Sequence, residues 1–264
     1  GSCGFYAVTR ENQNDFYKSF VPYFTDFLDV VKENDAPLDF YSWHIYNSDP
    51  AEVLTHARFV RDTLDEKGFT ETESSLNEWN YGAEGHSHLE KKTMVGASYV
   101  AAVMASLQNS GTVDTAMYYV ASIASSYNGL FRMEDHRLMK PYYVLCAWGD
   151  LWSLGQYHKP EMDTDTLYCC AASDGEKAGI LLANRTEGDQ QAEIRLDGLA
   201  CGQVVKFYLL DAQKDMELRG PGDLFGVRQS GALSLGPCAC MGDTSLLKET
   251  HDAARALLKN ADSE

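Results

Sequence analysis

At 264 residues the chain is long for one domain, so two packed units are expected, although one large α/β barrel would have the same length. A formal charge of -17 repels phosphate backbones and anionic lipid, which argues against nucleic acid or a membrane as partner and favours a neutral ligand. A composition of 44% hydrophobic and 11% aromatic residues excludes a disordered chain, and the 15 tyrosines and 4 tryptophans suit both cores and flat binding surfaces.

Taken in chain order, strand-like and helix-like segments alternate, the grammar of a parallel sheet built from βα units. A first strand is predicted over residues 2–8. A helix follows over 14–33, with Phe16, Phe20, Phe24, Phe27 and Leu28 on one stripe. Residues 38–46 form a second strand, and 50–67 a helix with Val53, Leu54, Ala57, Val60 and Leu64 at helical spacing, stopped by Gly68. A third strand is expected over 69–78 and a buried, alanine-rich helix over 93–108. The fourth strand, 115–122, leads through a loop at Asn128-Gly129 to a helix over 141–154 that begins with a proline.

Beyond Pro160 the pattern changes to short alternating strands, expected at 166–172, 177–184, 192–196, 204–210 and 232–241, with turn signals at Asp174-Gly175 and Asp197-Gly198. An antiparallel β-sandwich is predicted there, and one amphipathic helix over 245–260. The expected domains are therefore 1–159, 160–244 and 245–264.

Seven cysteines leave at least one thiol unpaired in a monomer, which favours a reducing, cytoplasmic setting. Cys169-Cys170 and Cys238-Ala-Cys240 lack paired zinc-site spacing, so buried thiols are expected. His86, His88 and Glu90 look like a metal cluster but have no further ligand at a recognisable interval, and neither metal nor cofactor is expected. The apolar stretch from Met94 to Leu107 is too short to span a bilayer. The first residues carry neither an initiator methionine nor a signal-peptide pattern, so a preceding segment is expected.

The chemistry concentrates in Leu76-Asn-Glu-Trp-Asn80, where a strand ends in a carboxylate beside an aromatic ring and an amide. Read as a simple alternation, Ser74, Leu76 and Glu78 share one inward face. Catalytic groups of an α/β barrel sit at the C-terminal ends of its strands, where Glu78 falls. His44 and Tyr46 alternate on the preceding strand and can reach Glu78, although both also suit core packing. Trp79 either stacks on a ring-shaped ligand or braces its strand. Asn47, Asn80, Tyr127 and Asn128 lie at strand ends, where they are either ligand contacts or turn formers.

LNEWN resembles the strand-seven nucleophile motif of clan A glycoside hydrolases, and LDFYSWHIY resembles strand six of family 39, which includes β-xylosidases and α-L-iduronidases. YNGLF followed by KPYYVL is similar to the strand-eight loop and final helix of that family, and the sandwich to its accessory domain. The resemblance implies strands five to eight, the C-terminal half of a (β/α)8 TIM barrel, followed by an antiparallel β-sandwich. It implies a retaining glycosidase, xylosidase-like, with Glu78 as nucleophile and Tyr46 orienting it, acting on an oligosaccharide or glycoside. Its acid/base glutamate belongs to an Asn-Glu pair on strand four, and no such pair occurs before Phe40, so the chain alone is expected to be inactive. Met117-Tyr118-Tyr119 stands where many clan members carry a strand-eight tryptophan. The rival readings are a non-catalytic carbohydrate-binding protein on a degenerate barrel, and a scaffold on barrel remnants. The free edges of half a barrel predict a homo-oligomer or a missing N-terminal half.

Overall fold

Residues 2–82, 89–196, 206–218, 231–235 and 240–241 are described in the computed structural model. The expected first strand reduces to its start. Ser2 forms a single parallel bridge to Trp43, and the chain then turns into a short helix, α1 (Tyr6–Thr9). Packing explains the departure: Phe5 is drawn into a ring cluster with Phe24, Trp43 and Phe59, and its carbonyl accepts the Val8 N–H.

The expected 14–33 helix is broken into α2 (Asp15–Lys18) and α3 (Phe20–Glu33). At the break the Ser19 hydroxyl donates back to the Phe16 carbonyl at 2.6 Å, a local bond that competes with the helical ladder. Only part of the predicted stripe enters the core. Phe24 and Leu28 are fully buried, with Phe24 stacked on Tyr41 at 4.1 Å, whereas Phe16 is exposed.

The strand β1 (Phe40–Asn47) alternates strictly: Tyr41, Trp43, Ile45 and Asn47 are buried, while Ser42, His44 and Tyr46 are half-buried. Helix α4 (Pro50–Glu66) follows, its N-terminus capped by Asp49, whose carboxylate accepts the Ala51 N–H at 2.9 Å. Its face of Val53, His56, Ala57, Val60 and Leu64 is buried. Gly68 ends the unit at φ +90°, a conformation glycine adopts without strain. Arg61 ties the return loop together, donating to Asp65 and to the carbonyls of Phe69 (2.8 Å) and Thr72 (2.7 Å).

β2 (Glu73–Tyr81) pairs in parallel with β1, and after helix α5 (Met94–Ser110) the strand β3 (Thr115–Tyr118) pairs in parallel with β2. β3 stops short of the predicted 122. The sheet order is β1-β2-β3.

The antiparallel part begins after helix α6 (Lys140–Ser153). Its strands are β4 (Gln156–His158), β5 (Leu167–Ser173), β6 (Ala178–Asn184), β7 (Gln190–Ile194), β8 (Tyr208–Leu210), β9 (Asp215–Leu218), β10 (Gly231–Leu235) and β11 (Cys240–Met241). One sheet has the order β4-β5-β6-β11-β8-β9, and β10 pairs with β7 in a second. Leu167, Cys169 and Leu182 from the first pack with Ala192 and Ile194 from the second. The predicted strand at 232–241 is thus two strands in different sheets, and β4 and β9 are additional. The predicted 245–260 helix and the His86 and His88 positions lie outside the described residues.

By contacts the chain divides into two compact units. One comprises the described residues of Gly1–His88, Val103–Ala121 and Ser125–Tyr127; the other those of Leu89–Ala102, Ser122–Ala124 and Asn128–Glu264. Among the described residues no helix is long and apolar enough to cross a membrane. Cys3, Cys146, Cys169 and Cys170 form no disulfide, and burial pushes the Cys169 thiol up to about 12 and that of Cys170 to about 11.

Candidate active site

Simple alternation fails on β2. Trp43 pairs with Leu76, but the next residue of β1, His44, pairs with Glu78, so Asn77 is an extra residue in a β-bulge. Ser74 and Leu76 consequently face the helices: Ser74 accepts the Trp43 indole N–H at 3.1 Å and Leu76 is fully buried. The inserted residue reverses the side-chain direction, which places Glu78 on the opposite, open face with His44 and Tyr46. The predicted grouping of Glu78 with Ser74 and Leu76 is corrected, while its grouping with His44 and Tyr46 is what the register gives.

The Tyr46 hydroxyl donates to Glu78 Oε2 at 2.6 Å. Burial, then this hydrogen bond and the Glu78 charge, push the Tyr46 phenol far above its usual range, so it remains a donor. His44 stands opposite Glu78 in the strand register; burial lowers its pKa, with the Glu78 charge acting against the shift. A neutral imidazole is the favoured form. Cys3 also lies within the field of Glu78, its thiol raised mainly by burial.

Three tyrosine rings form one wall of this site. Tyr46 packs against Tyr127 at 5.1 Å and Tyr119 at 6.4 Å, and Tyr119 meets Tyr127 at 5.7 Å. Asn80 holds the wall together from within, donating to the carbonyls of Tyr119 (2.5 Å) and Tyr127 (2.7 Å) while its own oxygen accepts the Tyr81 N–H. Tyr127 is 41% exposed, whereas Asn80 is completely buried and supports the wall.

Three other candidates are not part of this cluster. Trp79 faces the helices at 1% exposure, its ring edge-on to Tyr118 at 5.6 Å, so it braces the strand. Asn47 is buried on the same face and accepts the Asp49 N–H at 2.8 Å, shaping the turn into α4. Asn128 belongs to the other unit and is fully buried, accepting from the N–H groups of Leu130 and Phe131 and donating to the Phe131 carbonyl. The Asn47 and Asn128 side chains bond to nearby backbone, and Trp79 is taken up by packing.

Sequence reasoning missed Tyr119 and Tyr6. Tyr119 follows Met117 by two residues and could have been found from strand alternation. Tyr6 could not, because its segment reads as a strand and is a helical turn. No group of three or more metal-ligating side chains is found among the described residues.

No protein-family model and no curated protein matches the chain. Solved structures do. A glucosidase from Croceicoccus marinus matches with a TM-score of 0.63 and 22% identity over 82% of this chain and 55% of that one. A GH39 β-xylosidase from Caulobacter crescentus matches with a TM-score of 0.60 and 15% identity over 83% and 53%. A GH30 endoxylanase from Clostridium papyrosolvens gives 0.55 and 13% over 77% and 48%. The chain thus spans about half the length of the structures it matches. What the likeness shows is the fold: a TIM-barrel-like α/β arrangement, shared with glycoside hydrolases, over part of the chain.

Proposed function

We propose that this chain carries the nucleophile half of a retaining glycoside hydrolase, xylosidase-like and closest in its motifs to family 39. In this reading β1, β2 and β3 are strands six to eight of a (β/α)8 barrel, Ser2 marks strand five, and the antiparallel sheets are an accessory β-sandwich. The observation that carries it is the 2.6 Å bond from Tyr46 to Glu78 Oε2, which fixes a carboxylate at the C-terminal end of a parallel strand, where barrel enzymes hold their reactive groups. Supporting it, the solved structures with the same fold include a glucosidase, a xylosidase and a xylanase.

Tyr46 engages Oε2, so Oε1 is the attacking atom. It forms a bond to the anomeric carbon of an oligosaccharide or glycoside as the bond to the leaving group breaks, giving a covalent glycosyl-enzyme. A second carboxyl, roughly 5 Å from the first, must protonate an ordinary leaving oxygen. Among the described strand residues of the open face, Glu78 is the carboxylate at this end, beside His44, Tyr46 and Asn80. In this reading the acid/base group is the glutamate of an Asn-Glu pair on an earlier strand, a pair that does not occur before Phe40, and the chain alone turns over glycosides poorly.

A 2-fluoro glycosyl fluoride tests the reading, because fluoride departs with the bonding electrons without needing a proton. Intact-protein mass and peptide mapping should find one 2-fluoroglycosyl group on Glu78. Glycan binding with no adduct would favour the rival, a non-catalytic carbohydrate-binding protein.

A further inference from the structure

Tyr46 can orient Glu78 only if its own backbone is held, and the usual means of holding it is absent. On the edge of β1 away from β2, the Ser2 N–H donates to the Ser42 carbonyl (3.2 Å) and the His44 N–H donates to the Ser2 carbonyl (3.0 Å). A continuing parallel strand would next pair with Tyr46. Instead the chain has turned into α1, and the Tyr6 phenol takes the strand's place, donating to the Tyr46 carbonyl at 2.7 Å and accepting the Tyr46 N–H at 3.3 Å. One hydroxyl thereby satisfies both backbone groups that a neighbouring strand would have paired.

The phenol is itself firmly seated. Tyr6 is 8% exposed, with Tyr17 and His56 edge-on to its ring at 5.1 Å and 5.4 Å and the Arg10 guanidinium over it at 4.9 Å. Gly4 leaves room for it, since a Cβ there would stand 3.0 Å from the Tyr6 ring and 3.2 Å from Ile45. We infer that Tyr6 is a positioning residue for Glu78, acting through Tyr46: it substitutes for a β-strand at the point where the nucleophile's hydrogen-bond donor is mounted. The inference rests on the proposed role of Glu78.

The test compares Tyr6→Phe, Tyr46→Phe and the double variant in the rate of 2-fluoroglycosyl transfer to Glu78, with hydrogen exchange at the Tyr46 amide as a readout independent of chemistry. Tyr41→Phe is the control, removing a 2.7 Å contact with Ser2 from the opposite end of the same strand. Tyr6→Phe should slow labelling by about tenfold, as expected for a small misplacement of a reacting group. It should also speed Tyr46 amide exchange, and it should add nothing further in the Tyr46→Phe background; Tyr41→Phe should label at the unaltered rate. Independent, multiplying effects of Tyr6→Phe and Tyr46→Phe, or unchanged exchange at Tyr46, would overturn the inference and leave the Glu78 assignment standing. An unaltered protein that takes no label at all would instead reject the nucleophile assignment, and the positioning role with it.

Discussion

The two faces of the parallel sheet are built from alternate residues of the same strands and obey different rules. On the helix side, Trp43, Ile45, Leu76 and Trp79 are buried to 1% exposure or less, and the rings of Phe5 and Phe24 fill the space around Tyr41 and Trp43. On the open side, His44, Tyr46 and Glu78 are half-buried polar groups held by hydrogen bonds and charge. The first face sets stability by volume and the second holds the proposed nucleophile by orientation. Because Asn77 is taken up as a bulge, the carboxylate falls on the open face with His44.

The comparison breaks most sharply on the open face. Glu78→Gln should abolish labelling by about a thousandfold or more while moving the urea midpoint little, because the open face carries little of the packing. Trp43→Ala is the converse, expected to cost about 3–5 kcal/mol in equilibrium unfolding, since it empties a fully buried site and leaves the Ser74 hydroxyl without its donor.

A smaller effect separates the faces by pH. His56, completely buried on the helix side, donates from Nε2 to Thr9 Oγ1 at 3.1 Å while Thr9 donates to Glu52. Burial depresses its pKa from 6.5 to about 4, with Glu52 opposing the shift and Arg10 adding to it. The unfolded chain therefore takes up a proton that the folded chain refuses. Stability from this group is complete above pH 6.5 and is lost as pH falls towards 4. The loss should reach roughly 3 kcal/mol, read as a falling urea midpoint that His56→Gln flattens.

The helix-covered face was the more legible one. The 3.6-residue spacing of Val53, Ala57, Val60 and Leu64 and the alternation of Tyr41, Trp43 and Ile45 are repeated signals, each residue reinforcing the next. The open face depends on single events that leave no periodic trace. A bulge at Asn77 shifts the register once, and a helical turn at Tyr6–Thr9 replaces a strand because Phe5 packs elsewhere. The contact between Tyr46 and Glu78 was legible through the two strand motifs, whereas Trp79, Asn47 and Asn128 were assigned by residue type and position alone. Whether such a side chain meets a ligand or its own backbone is settled by tertiary packing.

The guanidinium of Arg61 has a consequence for how the sheet comes apart. By gripping the Phe69 and Thr72 carbonyls together with Asp65, it clamps the end of the sheet where β2 begins, while the far rim depends on phenols. Fraying should therefore start at the rim bearing the carboxylate and travel towards the clamp, so that the reactive end has the freedom to breathe while the opposite end keeps the strands in step.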